Sequence, residues 1–164
     1  MFFGIALNSL VFVHTLITLV AIAAGLVMLV GMLRNQRMEM AHTVFLVFSV
    51  LTAVTGFMIQ VAPVSPAVIF GFLLSGLLAV ALVARYLQHM TGAWRWIYVV
   101  TAVASLYLNF FVLVVQSFLK VPALHALVPS VPPAGPLFGA VQGVVLLLFV
   151  AAGFLAVRRF HPRP

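Results

Sequence analysis

Five apolar runs, each long enough to cross a lipid bilayer, constrain this chain more than any other feature. They lie at about 5–33, 42–61, 67–88, 95–118 and 136–157. About 20 apolar residues suffice to cross the hydrocarbon layer as a helix. Lipid offers no hydrogen bonds to exposed backbone groups, so helices are the expected form. The alternating ten-residue pattern of an outer-membrane barrel is absent. The expected fold is therefore all-α, a polytopic bundle of five transmembrane helices in one integral membrane domain spanning 1–164. Composition agrees. The 164 residues are 66% hydrophobic and 5% charged, with a mean hydropathy of +1.33. A soluble domain carries about 25% charged residues.

Charge sets the expected orientation. Arg34 and Arg37 follow the first run, Arg85 and Arg95 flank the loop after the third, and Arg158, Arg159 and Arg163 end the chain. In an up-and-down layout these seven share one side, and only Lys120 lies on the other. The positive-inside rule then puts the N-terminus outside and the C-terminus in the cytoplasm. Trp94, Trp96 and Tyr98 fit an interfacial aromatic belt at the inner end of the fourth span. The formal charge of +7 does not point to nucleic acid. The basic residues sit at the ends of apolar runs instead of forming a phosphate-binding patch. The expected partner is the bilayer itself, with its anionic headgroups.

The N-terminal MFFGIALNS lacks the basic start of a secretory signal peptide and reads as an uncleaved first span. The second loop, QVAPVSPA, reads as a tight turn. The outer loop, 119–135, holds prolines at 122, 129, 132 and 133, which forbid a long helix. Its stretch 121–128 is expected to lie flat on the outer surface.

Helical periodicity assigns inward faces. The expected stripes are His14, Thr18, Ala21, Gly25, Met28 and Met32 in the first span, and Ser49, Thr52, Gly56 and Gln60 in the second. The third gives Gly71, Ser75, Ala79, Tyr86 and His89; the fourth gives Trp94, Tyr98, Thr101, Ser105, Asn109 and Gln116. The fifth gives Gly139, Gln142, Gly143 and Gly153, with Gly139 and Gly143 spaced as a GxxxG helix-contact pair. His14, Gln60, Asn109, Gln116 and Gln142 all fall in the outer half by helical rise. That polar layer is either a small ligand cavity facing outward or a set of interhelical hydrogen bonds.

Several chemistries fail on residue counts. Glu39 is the only acidic residue, so paired-carboxylate catalysis and a di-iron site, which needs four carboxylates, cannot be built in one chain. No serine sits in a Gly-x-Ser-x-Gly elbow, and no phosphate loop is present. The chain has no cysteine, which removes disulfides, thiolate metal sites and cysteine nucleophiles. Ion-coupled transport usually relies on an intramembrane carboxylate, which is missing here. Glu39 and His42 read as a helix start at the interface. One cofactor pattern deserves a test. His42 begins the second span and His89 ends the third, so the two could hold a b-type haem between facing helices, although both sit at the inner edge and not deep in the apolar zone, and Arg85 lies one turn from His89, where it could meet a propionate. His14 is the one histidine placed within the bundle; Asn109, Gln116 and Thr18 are its expected hydrogen-bond partners. His125 and His161 read as solvated.

The stretch ARYLQHMTGAWRWIYVVTAVASLYLNFFVLVVQSFLKVPALHALVP resembles a group of small, multi-span, uncharacterised inner-membrane proteins of proteobacteria. The likeness rests on Arg85, Trp94, Arg95, Trp96, Tyr107, Asn109, Gln116 and Pro122. It implies a bacterial inner membrane and carries no activity or cofactor. The sequence thus favours a non-enzymatic membrane protein without a metal, an accessory or scaffold subunit that self-associates or docks on another membrane protein. A b-type cytochrome-like electron carrier and a passive permease or exporter are the alternatives.

Overall fold

The computed structural model describes residues 7–59 and 65–162. It contains α1 (Leu7–Leu33), α2 (Glu39–Ile59), α3 (Pro66–Leu82) continued by a π turn (Val83–Leu87), α4 (Ala93–Lys120), the short α5 (Pro122–Leu127) and α6 (Pro136–Arg159). Among the described residues there is no strand. Five of the helices are long and apolar enough to cross a membrane.

Local chemistry explains where these helices start. Pro66, Pro122 and Pro136 each stand in a first turn, where the missing N–H costs nothing. Ser65 caps α3 by accepting a hydrogen bond from the Val68 N–H at 3.3 Å. Gly92 and Gly135 precede α4 and α6 with φ of 53° and 108°, backbone that side chains resist. The outer loop forms the six-residue α5, as its prolines require, and no longer helix.

α4 is the hub. It packs against α1, α2, α3, α5 and α6, and 50% of its most apolar window is buried, against 11% for α6. α1 and α2 form an antiparallel hairpin, the most extensive helix pair. The core between this hairpin, α3 and α4 gathers Met28, Met32, Phe45, Leu46, Leu78, Tyr98, Val99 and Leu106. Lipid gives these side chains no hydrophobic reason to cluster, so close packing and interhelical hydrogen bonds must hold them. Gly25 shows how close the packing is. A Cβ there would lie 2.5 Å from Leu106 Cδ1 and 2.8 Å from Phe45 Cδ2.

The inward stripe of α1 is observed, with Ala21, Gly25, Met28 and Met32 buried. In α2, Ser49 and Thr52 are buried, while Gln60 lies outside the described residues. α4 follows its stripe through Asn109, but Gln116 is exposed because no neighbour covers that sector so near the helix end. Tyr98 is fully buried and belongs to the core, not to an aromatic belt.

Two stripes need correction. In α3 the packed face is Leu74, Leu78 and Ala81, while Ala79, Tyr86 and His89 are exposed. Ser75 spends its hydroxyl on the Gly71 carbonyl of its own helix. Arg85, in the π turn, continues that packed face at the i+4 position from Ala81 and the i+7 position from Leu78, and is buried. In α6 the seam against α4 runs through Phe138, Gln142, Phe149, Gly153 and Ala156. Gly139 and Gly143 fall one residue further round, and a Cβ on either would meet nothing within 4 Å. Size, not smallness, chose this seam.

Gly25→Ala is expected to lower the stability of the detergent-solubilised protein by about 1–3 kcal/mol through overpacking. Gly139→Ala should leave it unchanged or slightly higher. Reversible unfolding followed by circular dichroism compares the two.

Candidate functional site

Polar side chains collect at the end of the bundle that bears the arginines. This end joins the finish of α1, the start of α2, the π turn, the start of α4 and the finish of α6. Contacts tie these segments directly. Arg95 Nη1 donates to the carbonyls of Val157 and Phe160 at 2.8 and 2.7 Å, capping the C-terminus of α6 with a cation. The His161 N–H donates to Asn35 Oδ1 at 2.8 Å, which ties the tail to the α1–α2 loop.

Deeper in lies Arg85, with a side chain only 5% exposed. A buried guanidinium needs a counter-charge. Glu39 Oε2 provides it, accepting from Arg85 Nη2. The same carboxylate faces Arg37, whose Nε is 3.6 Å from Oε1. Glu39 itself is 60% exposed, so the pair bridges the interior and the surface. One carboxylate between two guanidiniums leaves a net positive charge. Arg85 also lies over the Tyr98 ring, 5.4 Å from its centroid, and over Tyr86 at 5.7 Å. The π turn closes just beyond it, where Gln88 N–H reaches Val83 O and Met90 N–H reaches Ala84 O, with His89 and Met90 at φ of 48° and 54°.

Beside Arg85, His42 Nδ1 and Tyr98 Oη are 2.6 Å apart, and Tyr98 Oη is 3.9 Å from Met28 Sδ. Two proton arrangements fit. If Tyr98 donates to Nδ1, the buried Nε2 carries an unmatched N–H. If His42 Nδ1–H donates to Tyr98, the phenol donates to the Met28 thioether and Nε2 presents only a lone pair. The second uses both protons and leaves the cheaper group unmatched, so it is favoured. The imidazole also stacks on Phe160, 5.7 Å between centroids. His42 Nε2 and Arg85 Nε have no hydrogen-bond partner among the described residues.

Glu39 and His42 are thus more than a helix start. Glu39 holds a buried cation, and His42 is 1% exposed. The residues proposed for haem are not brought into one cleft. His42 is buried in the core, His89 is exposed beyond the π turn, and Arg85 is engaged by Glu39. Among the described residues no group of three or more His, Cys, Asp or Glu side chains comes together as a metal site would need.

The outer polar residues resolve into contacts between separate helix pairs. His14 Nδ1 lies 2.7 Å from Thr55 Oγ1, joining α1 to α2, where Asn109, Gln116 or Thr18 had been expected. Thr18 donates to the His14 carbonyl and lies 3.3 Å from Thr52 Oγ1. Asn109 Nδ2 donates to Ser49 Oγ at 3.1 Å, joining α4 to α2. Gln142 Nε2 donates to the Phe111 carbonyl at 3.2 Å, joining α6 to α4. Gln116 is exposed. His125 is half-buried on α5, and His161 is exposed in the tail. Two grooves open on the surface. One, between α2 and the end of α3, is lined by Leu46, Val47, Val50, Leu51, Leu82 and Tyr86; the other lies between α1 and α2 at the basic end. His14, Asn109, Gln116 and Gln142 line neither.

Glu39→Gln is expected to destabilise the protein by about 2 kcal/mol, less than the ~3–5 for breaking a fully buried pair because Glu39 is partly solvated. Adding Arg85→Met to Glu39→Gln should recover most of the loss, since no unpaired charge is then left inside. A double-mutant cycle on unfolding in detergent measures both. A more stable Glu39→Gln protein would show that the pair does not hold this end together.

Comparison of the chain with family models, with curated proteins and with solved structures gives no match.

Proposed function

We propose that this chain is a non-enzymatic, multi-pass membrane protein that serves as an accessory or scaffold subunit. We place it in a bacterial inner membrane with its basic end in the cytoplasm. Five apolar helices support membrane residence. The arginine distribution supports the orientation. The chain's one acidic side chain is committed to two arginines, and Asn109, Gln142 and His14 are bonded between helices. Such groups brace a bundle.

The observation that carries the scaffold reading is α6. It packs on α4 and, less extensively, on α1, and leaves Gly139 and Gly143 open to close backbone approach from outside the chain. A neighbouring transmembrane helix, from a second copy or from another membrane protein, fits that face.

The absence of cysteine makes single-cysteine experiments clean. Gly139→Cys and Gly143→Cys should form crosslinked species in native membranes, and Leu148→Cys, exposed on the opposite side of α6, should not. Monomer alone for all three would overturn the scaffold reading. A membrane-impermeant maleimide should label Ala126→Cys in intact cells and His161→Cys only after permeabilisation. The reverse pattern would overturn the orientation.

A further inference from the structure

We propose that the α1–α2 groove at the basic end binds one anionic phospholipid, with its phosphate against Arg37 and an acyl chain along Ala24, Val27, Ala41 and Val44. This goes beyond the accessory role and stands without it. The groove is a shallow, open furrow of about 560 Å³. Its floor is apolar and its mouth is charged. Ala24 and Ala41 are small, which opens a furrow between two otherwise tightly paired helices. Val27 is 49% exposed and Met40 76%, so the furrow opens sideways to lipid. Ala24 lies nine residues inside the end of α1 at Leu33, about 14 Å along the helix. An acyl chain can therefore lie well down into the furrow while its headgroup stays at the mouth.

Charge at the mouth selects the headgroup. Glu39 lines it, but its Oε2 is taken by the buried Arg85. Arg37 is left with a loose 3.6 Å contact to Oε1 and an exposed guanidinium. Arg34 stands three residues away in the same loop, also exposed. The mouth is thus net positive at the level where phosphates lie, and the positive end of the α2 dipole adds to it. A guanidinium matches a phosphate diester in shape and charge. The same feature argues against a second copy of this chain as the occupant. Two copies docked by this face about an axis normal to the membrane would bring both pairs of Arg34 and Arg37 to one level.

The test is native mass spectrometry of the full chain released from detergent doped with phosphatidylglycerol or phosphatidylcholine of matched acyl chains. One retained phosphatidylglycerol is expected, with a preference of about fivefold over phosphatidylcholine. Arg37→Gln, at an exposed loop position, should bring that ratio to about one. Arg159→Gln removes an equal charge elsewhere at the basic end and should leave the ratio unchanged. Val27→Trp should block the furrow and remove the retained lipid although Arg37 is intact. Equal retention of both lipids by the wild type, equal effects of Arg37→Gln and Arg159→Gln, or a lipid-free dimer would each overturn the proposal.

Discussion

A guanidinium placed inside a membrane protein must find its counter-charge within the fold, and Arg85 sets that condition here. The chain has one carboxylate, so one arrangement satisfies the condition: the start of α2 must lie against the end of α3. The π turn, Tyr98, Tyr86 and Met90 then accommodate the rest of the side chain. Fixing α2 against α3 also fixes α1, which is tied to α2 by a short loop and an extended helix pair. Tyr98, held between Arg85 and His42, brings in α4. Four of the five long helices thus meet around one ion pair.

The two ends of the bundle are held by different physics. At the basic end, ionic and charge-assisted contacts carry the order, partly within reach of water. Further along, single neutral hydrogen bonds join helices in pairs, each worth only about 1 kcal/mol in a membrane. Packing supplies the rest. Glycine matters where backbones close in, at Gly25, and does nothing within the chain at Gly139 and Gly143. A GxxxG spacing therefore marks where a helix can be approached, and the shape of the larger neighbours decides whether the approach occurs in the same chain.

The number of helices and the inward face of α1 were legible in the sequence because both follow from hydrophobicity and a constant helical period. In α3 the period held but the phase did not: the small and hydroxyl residues Gly71, Ser75 and Ala79 lead to Tyr86 and His89, whereas the packed face runs through Leu74, Leu78 and Ala81 to Arg85. A signal for Arg85 was present. It sits inside the end of an apolar run, too deep to be solvated easily, in a chain with a single acid to pair it. Attention to histidine spacing set His42 with His89, whereas packing set His42 with Tyr98. Of the outer polar residues, His14, Asn109 and Gln142 face a neighbouring helix and Gln116 does not, and the pairing depended on helix rotations that no one helix encodes. Ser49 and Thr55, both hydroxyls, turned out to be the partners of Asn109 and His14.

Chain order gives the two structural arginines different histories. Glu39 is synthesised before Arg85, so the deep cation meets its acceptor as soon as its own helix is made. Arg95 is synthesised 62 residues before Val157, whose carbonyl it will grip. Until the last helix is threaded into the bilayer, that guanidinium must be kept by water and headgroups. Elongation on the ribosome therefore delivers the acceptor first where desolvation is costly, and the donor first where it is cheap.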